Sequence, residues 1–95
     1  MFVLKLTYLK PVEEVDRALD EHRAYLVEHY ASGHFLASGR QTPRVGGVIL
    51  AMAANRSEIE SIARRDPFVR KQLADYEITE FAPTMTSEAL SSLRS

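Results

Sequence analysis

Ninety-five residues, 45% of them hydrophobic and 26% charged, make one globular domain and leave no room for a second core of ordinary size. A formal net charge of −1 gives no general attraction to nucleic acid or an anionic membrane, and the absence of cysteine excludes disulfides, thiolate catalysis and Cys-based metal sites. The opening MFVLKLTYLK has no basic segment and no long apolar run, so it reads as neither signal peptide nor membrane span, and the expected compartment is the cytoplasm.

Phe2, Leu4, Leu6 and Tyr8 alternate with Val3, Lys5 and Thr7, the period of a strand with one apolar face. Pro11 breaks that strand and suits the first turn of a helix, where Glu13 and Glu14 meet the positive end of the dipole. Val12, Val15, Leu19, Leu26 and Tyr30 then follow at helical spacing through about five turns. Gly33 is placed to stop this long helix. Phe35 to Ser38 reads as a short second strand, and Gly39 to Gly47 as a loop holding Pro43 and three glycines. Val48 to Ala53 is a third strand, apolar on both faces and therefore central and covered twice.

A second helix follows, capped by Asn55 with Glu58 or by Ser57 with Glu60, the latter being the better capping-box match. Ile59, Ile62 and Ala63 supply its apolar side, and Asp66-Pro67 restarts it as a second piece carrying Phe68, Val69 and Leu73. Tyr76 to Ala82 reads as a fourth strand closed by Pro83. The domain is thus residues 1–83, and 84–95 is a polar tail with a frayed helix over Ser87 to Leu93.

The order β-α-β-β-α-β implies an α+β, ferredoxin-like fold: a four-stranded antiparallel sheet with both helices on one face. The other face would lie bare in a single copy, with some of Phe2, Leu4, Ile49, Ala51 and Phe81 on it. An exposed apolar sheet face of that kind marks an interface, and two such sheets facing each other about a two-fold axis predict a homodimer.

His22 lies about 60° from the centre of the apolar stripe of the first helix, counting about 100° per residue. A histidine at such a border can be held in one tautomer with one nitrogen free for acid or base work. The alternative is a partly buried ring whose nitrogens find backbone partners. Asp66 before Pro67 is a good helix cap, and local sequence favours that role. The same pinning would let Asp66 orient His22. Ser38, Gly39 and Arg40 leave the second strand together. Gly39 would allow close backbone approach or a sharp turn, and Arg40, with Arg44 close by, would clamp a carboxylate; the alternative is that both are solvated loop charges, the reading favoured for Arg44.

His29, near the helix C-terminus, is placed where an imidazolium is favoured. His22 and His29 are two turns apart and the HExxH spacing is absent, so no metal site is expected. No P-loop, GxGxxG or nucleophile elbow is present, and no cofactor is expected.

The stretches EHRAYLVEHYASGHFLASGR, GGVILAMAANRSEIESIARRDPFV and YEITEFAP resemble the YciI-like protein family. The shared pattern is a histidine in the first helix, a small-residue turn with Gly after the second strand, a Gly-rich entry to the third, and Asp-Pro-Phe in the second helical region. The resemblance covers about residues 1–83 and implies a ferredoxin-like protomer of the dimeric α/β-barrel superfamily. It also implies a histidine–aspartate pair at His22 and Asp66, reversing the local preference for a mere cap. Similar members include a dehydrochlorinase acting on a chlorinated hydroxylated aromatic, and the superfamily holds muconolactone isomerases and monooxygenases that need no external cofactor.

A cofactor-independent lyase or isomerase acting on a small anionic or phenolic substrate is therefore expected. The alternative is a non-catalytic ligand-binding or accessory module in which His22 packs and Asp66 only caps. Two positions depart from the family pattern. Arg40 stands where Pro commonly follows Gly39, and the Gly often found beyond Asp-Pro-Phe is missing from VRKQLADYE.

Overall fold

Phe2, Leu4 and Leu6 turn to one side of the first strand and are almost wholly buried, while Lys5 and Thr7 stay in solvent. That strand, β1 (Phe2–Tyr8), sits inside a four-stranded sheet in a computed structural model describing residues 1–95. The other elements are α1 (Val12–Asp16), α2 (Leu19–Ala31), β2 (Phe35–Arg40), β3 (Gly46–Ala51), α3 (Arg56–Arg64), α4 (Pro67–Arg70) and β4 (Ala74–Glu80). A short 3-10 helix over Glu88–Leu93 lies in the tail.

The sheet order is β2-β3-β1-β4 and every neighbouring pair is antiparallel. This is the ferredoxin-like α+β arrangement that the element order implies. Gly46 is needed where β3 enters beside β1, because a Cβ there would lie 1.7 Å from the Leu6 carbonyl oxygen.

The long first helix is in fact two. Backbone geometry departs from helical at Ala18 (φ −101°, ψ 8°), separating α1 from α2. The buried residues along them are Val15, Ala18, Tyr25 and His29, with His22 half-buried between them, rather than the Leu19–Leu26–Tyr30 stripe. Leu19 and Leu26 flank the core half-buried, and Tyr30 is 39% exposed. Apolar identity alone misplaces the seam because tyrosine and histidine bury aromatic area here while their polar atoms are bonded. The Tyr25 hydroxyl donates to the Ile62 carbonyl at 2.7 Å, and His29 Nδ1 donates to the Tyr25 carbonyl at 2.9 Å. His29 is 3% exposed and so is a core residue.

Helix α2 ends in a Schellman motif around Gly33 (φ +84°): Gly33 N–H bonds the Tyr30 carbonyl and His34 N–H the His29 carbonyl. Helix α4 ends the same way, with Gln72 (φ +58°) in the left-handed position, Gln72 N–H on the Val69 carbonyl and Leu73 N–H on that of Phe68. For α3, Asn55 is the cap, accepting from Glu58 N–H, while the Glu58 carboxylate reaches back to Ala54 N–H. Ser57 falls inside the helix.

Strand limits shift by a few residues. β2 runs on to Arg40 and β3 begins at Gly46, so the intervening loop is shorter than the glycines suggest. β4 spans Ala74–Glu80 instead of Tyr76 to Ala82, drawing Ala74 opposite Tyr8.

The register reverses the expected sheet face for Phe2, Leu4, Ile49 and Ala51, whereas Phe81, just past β4, is exposed as expected. Phe2, Leu4, Ile49 and Ala51 are all 3% exposed or less and belong to the core beneath the helices. The open face carries the alternate residues: Val3, opposite Leu50 and Thr79, and Lys5, opposite Val48 and Glu77. Val48 is 38% exposed and Phe81 41%. β3 is central, as its composition suggests, but within the chain only one of its faces is covered. No helix is long and apolar enough to cross a membrane.

Candidate active site

Asp66 precedes Pro67, whose ring fixes the first helical φ of α4, and its backbone is extended at the cap position. Its Oδ1 accepts the Phe68 N–H at 2.9 Å, as a cap must. The same oxygen lies 2.9 Å from His22 Nδ1. The two roles weighed for Asp66 are thus held by one atom. Asp66 is 1% exposed and its Oδ2 is buried without a hydrogen-bond partner. His22 is half-buried, with its side chain 14% exposed. Facing an accepting carboxylate oxygen, Nδ1 is the protonated nitrogen, so the neutral ring keeps its lone pair on Nε2.

Nε2 has no partner in the chain, and His22 lines a cleft of about 230 Å³ between α2, α4 and the helix-facing side of β1, β2 and β3. Leu6, Ile49, Leu19, Leu26 and Phe68 make its apolar walls. Tyr8 joins them, its ring edge-on to Phe68 with centroids 6.2 Å apart. Gly47 lies on the floor across from Leu6 and Arg40, where the missing side chain leaves room for a ligand.

Ser38, Gly39 and Arg40 all border this cleft, so the second-strand segment and the His22–Asp66 pair do come together. Their parts differ. The Ser38 hydroxyl is bonded to the Tyr30 hydroxyl at 2.6 Å. A Cβ on Gly39 would meet nothing within 4 Å, so its glycine is not demanded by packing inside the chain. Arg40 forms no ion pair, whereas Arg44 is held by Asp16, Nη2 to Oδ1 at 2.5 Å and Nη1 to Oδ2 at 3.5 Å. Arg44 is therefore a tie between the β2–β3 loop and α1, lying over the Tyr8 ring at 5.7 Å, not a free loop charge.

That hydrogen bond holds the Asp16 carboxyl below the usual range, and the charges of Arg40 and Arg23 lower it further. Burial pushes the Tyr25 phenol well above the usual range, with the nearby Asp66 carboxylate adding to the effect.

Arg23 also lines the cleft and was not among the candidates from sequence. It follows His22 directly in α2, and the available signal was that adjacency to a candidate histidine. Phe68, part of the Asp-Pro-Phe triplet and two residues from Asp66, lines the cleft as well, a role that its place in the apolar side of the helical piece does not reveal.

The YCII-related domain family matches residues 1–82 of this chain. Among solved structures, the chain is similar in fold to 5-chloro-2-hydroxyhydroquinone dehydrochlorinase from Burkholderia phenoliruptrix AC1100, determined in complex with 2,5-dihydroxybenzoquinone. That match has a TM-score of 0.71 at 18% identity and covers 85% of this chain and 93% of the other. No curated protein matches the sequence.

Proposed function

We propose, from the premise that this chain belongs to the YCII-related domain family, that it is a lyase or isomerase working by acid–base chemistry on a small anionic or phenolic substrate. The observation that carries this reading is the His22 Nδ1–Asp66 Oδ1 contact of 2.9 Å beside a cleft that the same histidine lines. Nε2 would take a proton from an acidic C–H or O–H of the substrate, and the electron pair released would enter the substrate's π system. Departure of a leaving group on a neighbouring carbon completes an elimination; return of the proton to a different carbon completes an isomerisation. Asp66 would stabilise the imidazolium formed in between, and no external cofactor is required by this scheme.

The cleft is smaller than a drug-sized site and fits a single substituted ring. A similar fold in a dehydrochlorinase of a hydroxylated aromatic is compatible with that substrate class, although at 18% identity it speaks to fold alone. Ser38, Gly39 and Arg40 are proposed to line the bound ligand, and His22 and Asp66 to carry the proton transfer.

The test is solvent-deuterium exchange into hydroxylated aromatic acids and lactone acids, followed by proton NMR. Wild type should exchange or convert at least one compound, and His22→Asn should not. Equal exchange by both proteins would remove the mechanism and leave a ligand-binding module.

We infer further that two copies pair through the open sheet face. Val3, Val48 and Leu50 give it apolar area, and Lys5 beside Glu77 gives it charges of both signs, so the face is complementary to itself under a two-fold rotation.

A further inference from the structure

We propose that Arg23 and Arg40 form an anion anchor in the cleft, so that the substrate is a single-ring hydroxylated acid carrying a permanent carboxylate rather than a neutral phenol. The inference rests on the acid–base reading of His22 and deepens it by naming the ligand class.

The two arginines enter from different walls, Arg23 from α2 directly after His22 and Arg40 from the end of β2. Neither makes an ion pair or a side-chain hydrogen bond within the chain. The third arginine of this region, Arg44, is occupied by Asp16. No aspartate or glutamate lines the cleft. Arg23, Arg40 and Arg44 set against Asp16 leave a local surplus of two positive charges (3 − 1), in a chain whose net charge is −1. The floor beneath is apolar, from Leu6, Ile49 and Phe68.

This combination selects a flat apolar body with an anionic end. Guanidinium is weakly hydrated, always charged, and shaped to grip a carboxylate through two parallel N–H bonds. Beside low-dielectric walls its attraction for an anion is stronger than in open water. A ring lying on the apolar floor, its carboxylate toward the arginines, would carry a ring hydroxyl to His22 Nε2.

Isothermal titration calorimetry of 2,5-dihydroxybenzoate and hydroquinone tests this, because the two share a ring and para hydroxyls and differ in the carboxylate. Wild type should bind the acid at least about tenfold more tightly than hydroquinone, the scale of a charge-assisted hydrogen-bonded contact. Arg23→Gln and Arg40→Gln should each weaken the acid about tenfold and leave hydroquinone unchanged. The affinity of wild type for the acid should fall with added salt, and less so in either variant. Thermal melts of the ligand-free variants should match wild type, since neither arginine bonds within the fold.

His22→Asn should keep the preference for the acid. A preference for the acid without proton exchange leaves the anchor standing and removes the acid–base reading. Proton exchange without that preference does the opposite. The anchor is overturned if wild type fails to bind the acid, binds hydroquinone as tightly, or loses nothing in either arginine variant.

Discussion

The His22 imidazole lies flat on the Phe68 ring, with centroids 3.9 Å apart and planes 6° from parallel. Phe68 thereby acts on the histidine twice. Its ring sets the plane of the imidazole, and its N–H holds the Asp66 oxygen that faces Nδ1. The Asp-Pro-Phe triplet is thus a single positioning device, in which the proline presets the backbone that presents both neighbours to His22.

Replacing Phe68 by Leu keeps apolar bulk but removes the stacking plane. Activity toward any substrate found by deuterium exchange should drop by about tenfold through a freer imidazole, with the cap and the Asp66 contact retained. The stability cost, read by urea denaturation, should be about 1–2 kcal/mol. A variant with full activity would show that the stack is packing only.

Asp66→Asn preserves an oxygen able to accept from both Phe68 N–H and His22 Nδ1, and asparagine is an equally good cap. It removes the charge that favours an imidazolium. Activity should fall by about a hundredfold or more while the fold persists. Asp66→Ala removes the cap and leaves a half-buried imidazole N–H unpaired, and urea denaturation should show a loss of about 1–3 kcal/mol.

Gln72 occupies a left-handed backbone position that glycine adopts without strain. Gln72→Gly should raise the unfolding free energy by about 0.5–1 kcal/mol. A loss of stability in this variant would mean that the Gln72 side chain contributes more than its backbone costs.

Tyr25 stays protonated in the fold at pH values where an exposed tyrosine ionises, chiefly because it is buried and secondarily because Asp66 is near. A group whose folded pKa is raised contributes stability that is complete below its ordinary value, about 10, and is lost as the pH rises beyond it. Wild-type stability should therefore decline above about pH 10. Tyr25→Phe should be less stable near neutrality by about 1 kcal/mol, having lost the bond to the Ile62 carbonyl, and should decline less in alkali. Urea midpoints across the alkaline range, with phenolate absorbance recorded in parallel, measure both effects.

Pairing through the open sheet face is tested by sedimentation over a concentration series. Wild type should sediment as a dimer, and Val48→Lys, which places a charge beside Lys5 on that face, should shift it toward monomer. A wild-type chain that is monomeric throughout would remove the proposal and leave Val3, Val48 and Leu50 as ordinary surface.

Local sequence determined the elements and their order. Alternation in β1, the Asp66-Pro67 restart and the Gly33 stop are governed by neighbouring residues, which is why they could be read directly. It also placed His22, Asp66 and Arg40 among the candidates, through side-chain chemistry and family resemblance. Three matters depended on the tertiary structure. The phase of the α1–α2 seam turned on the break at Ala18 and on Tyr25 and His29 finding backbone partners that no hydropathy pattern reveals.

The sheet faces turned on register, since a shift of one residue reverses every side chain and the alternation alone does not say which side the helices take. The meeting of His22 with Asp66, 44 positions away, and the entry of Arg23 into the same cleft arose only when two helices packed on one sheet. Sequence order carries no distance between residues that far apart; packing supplies it.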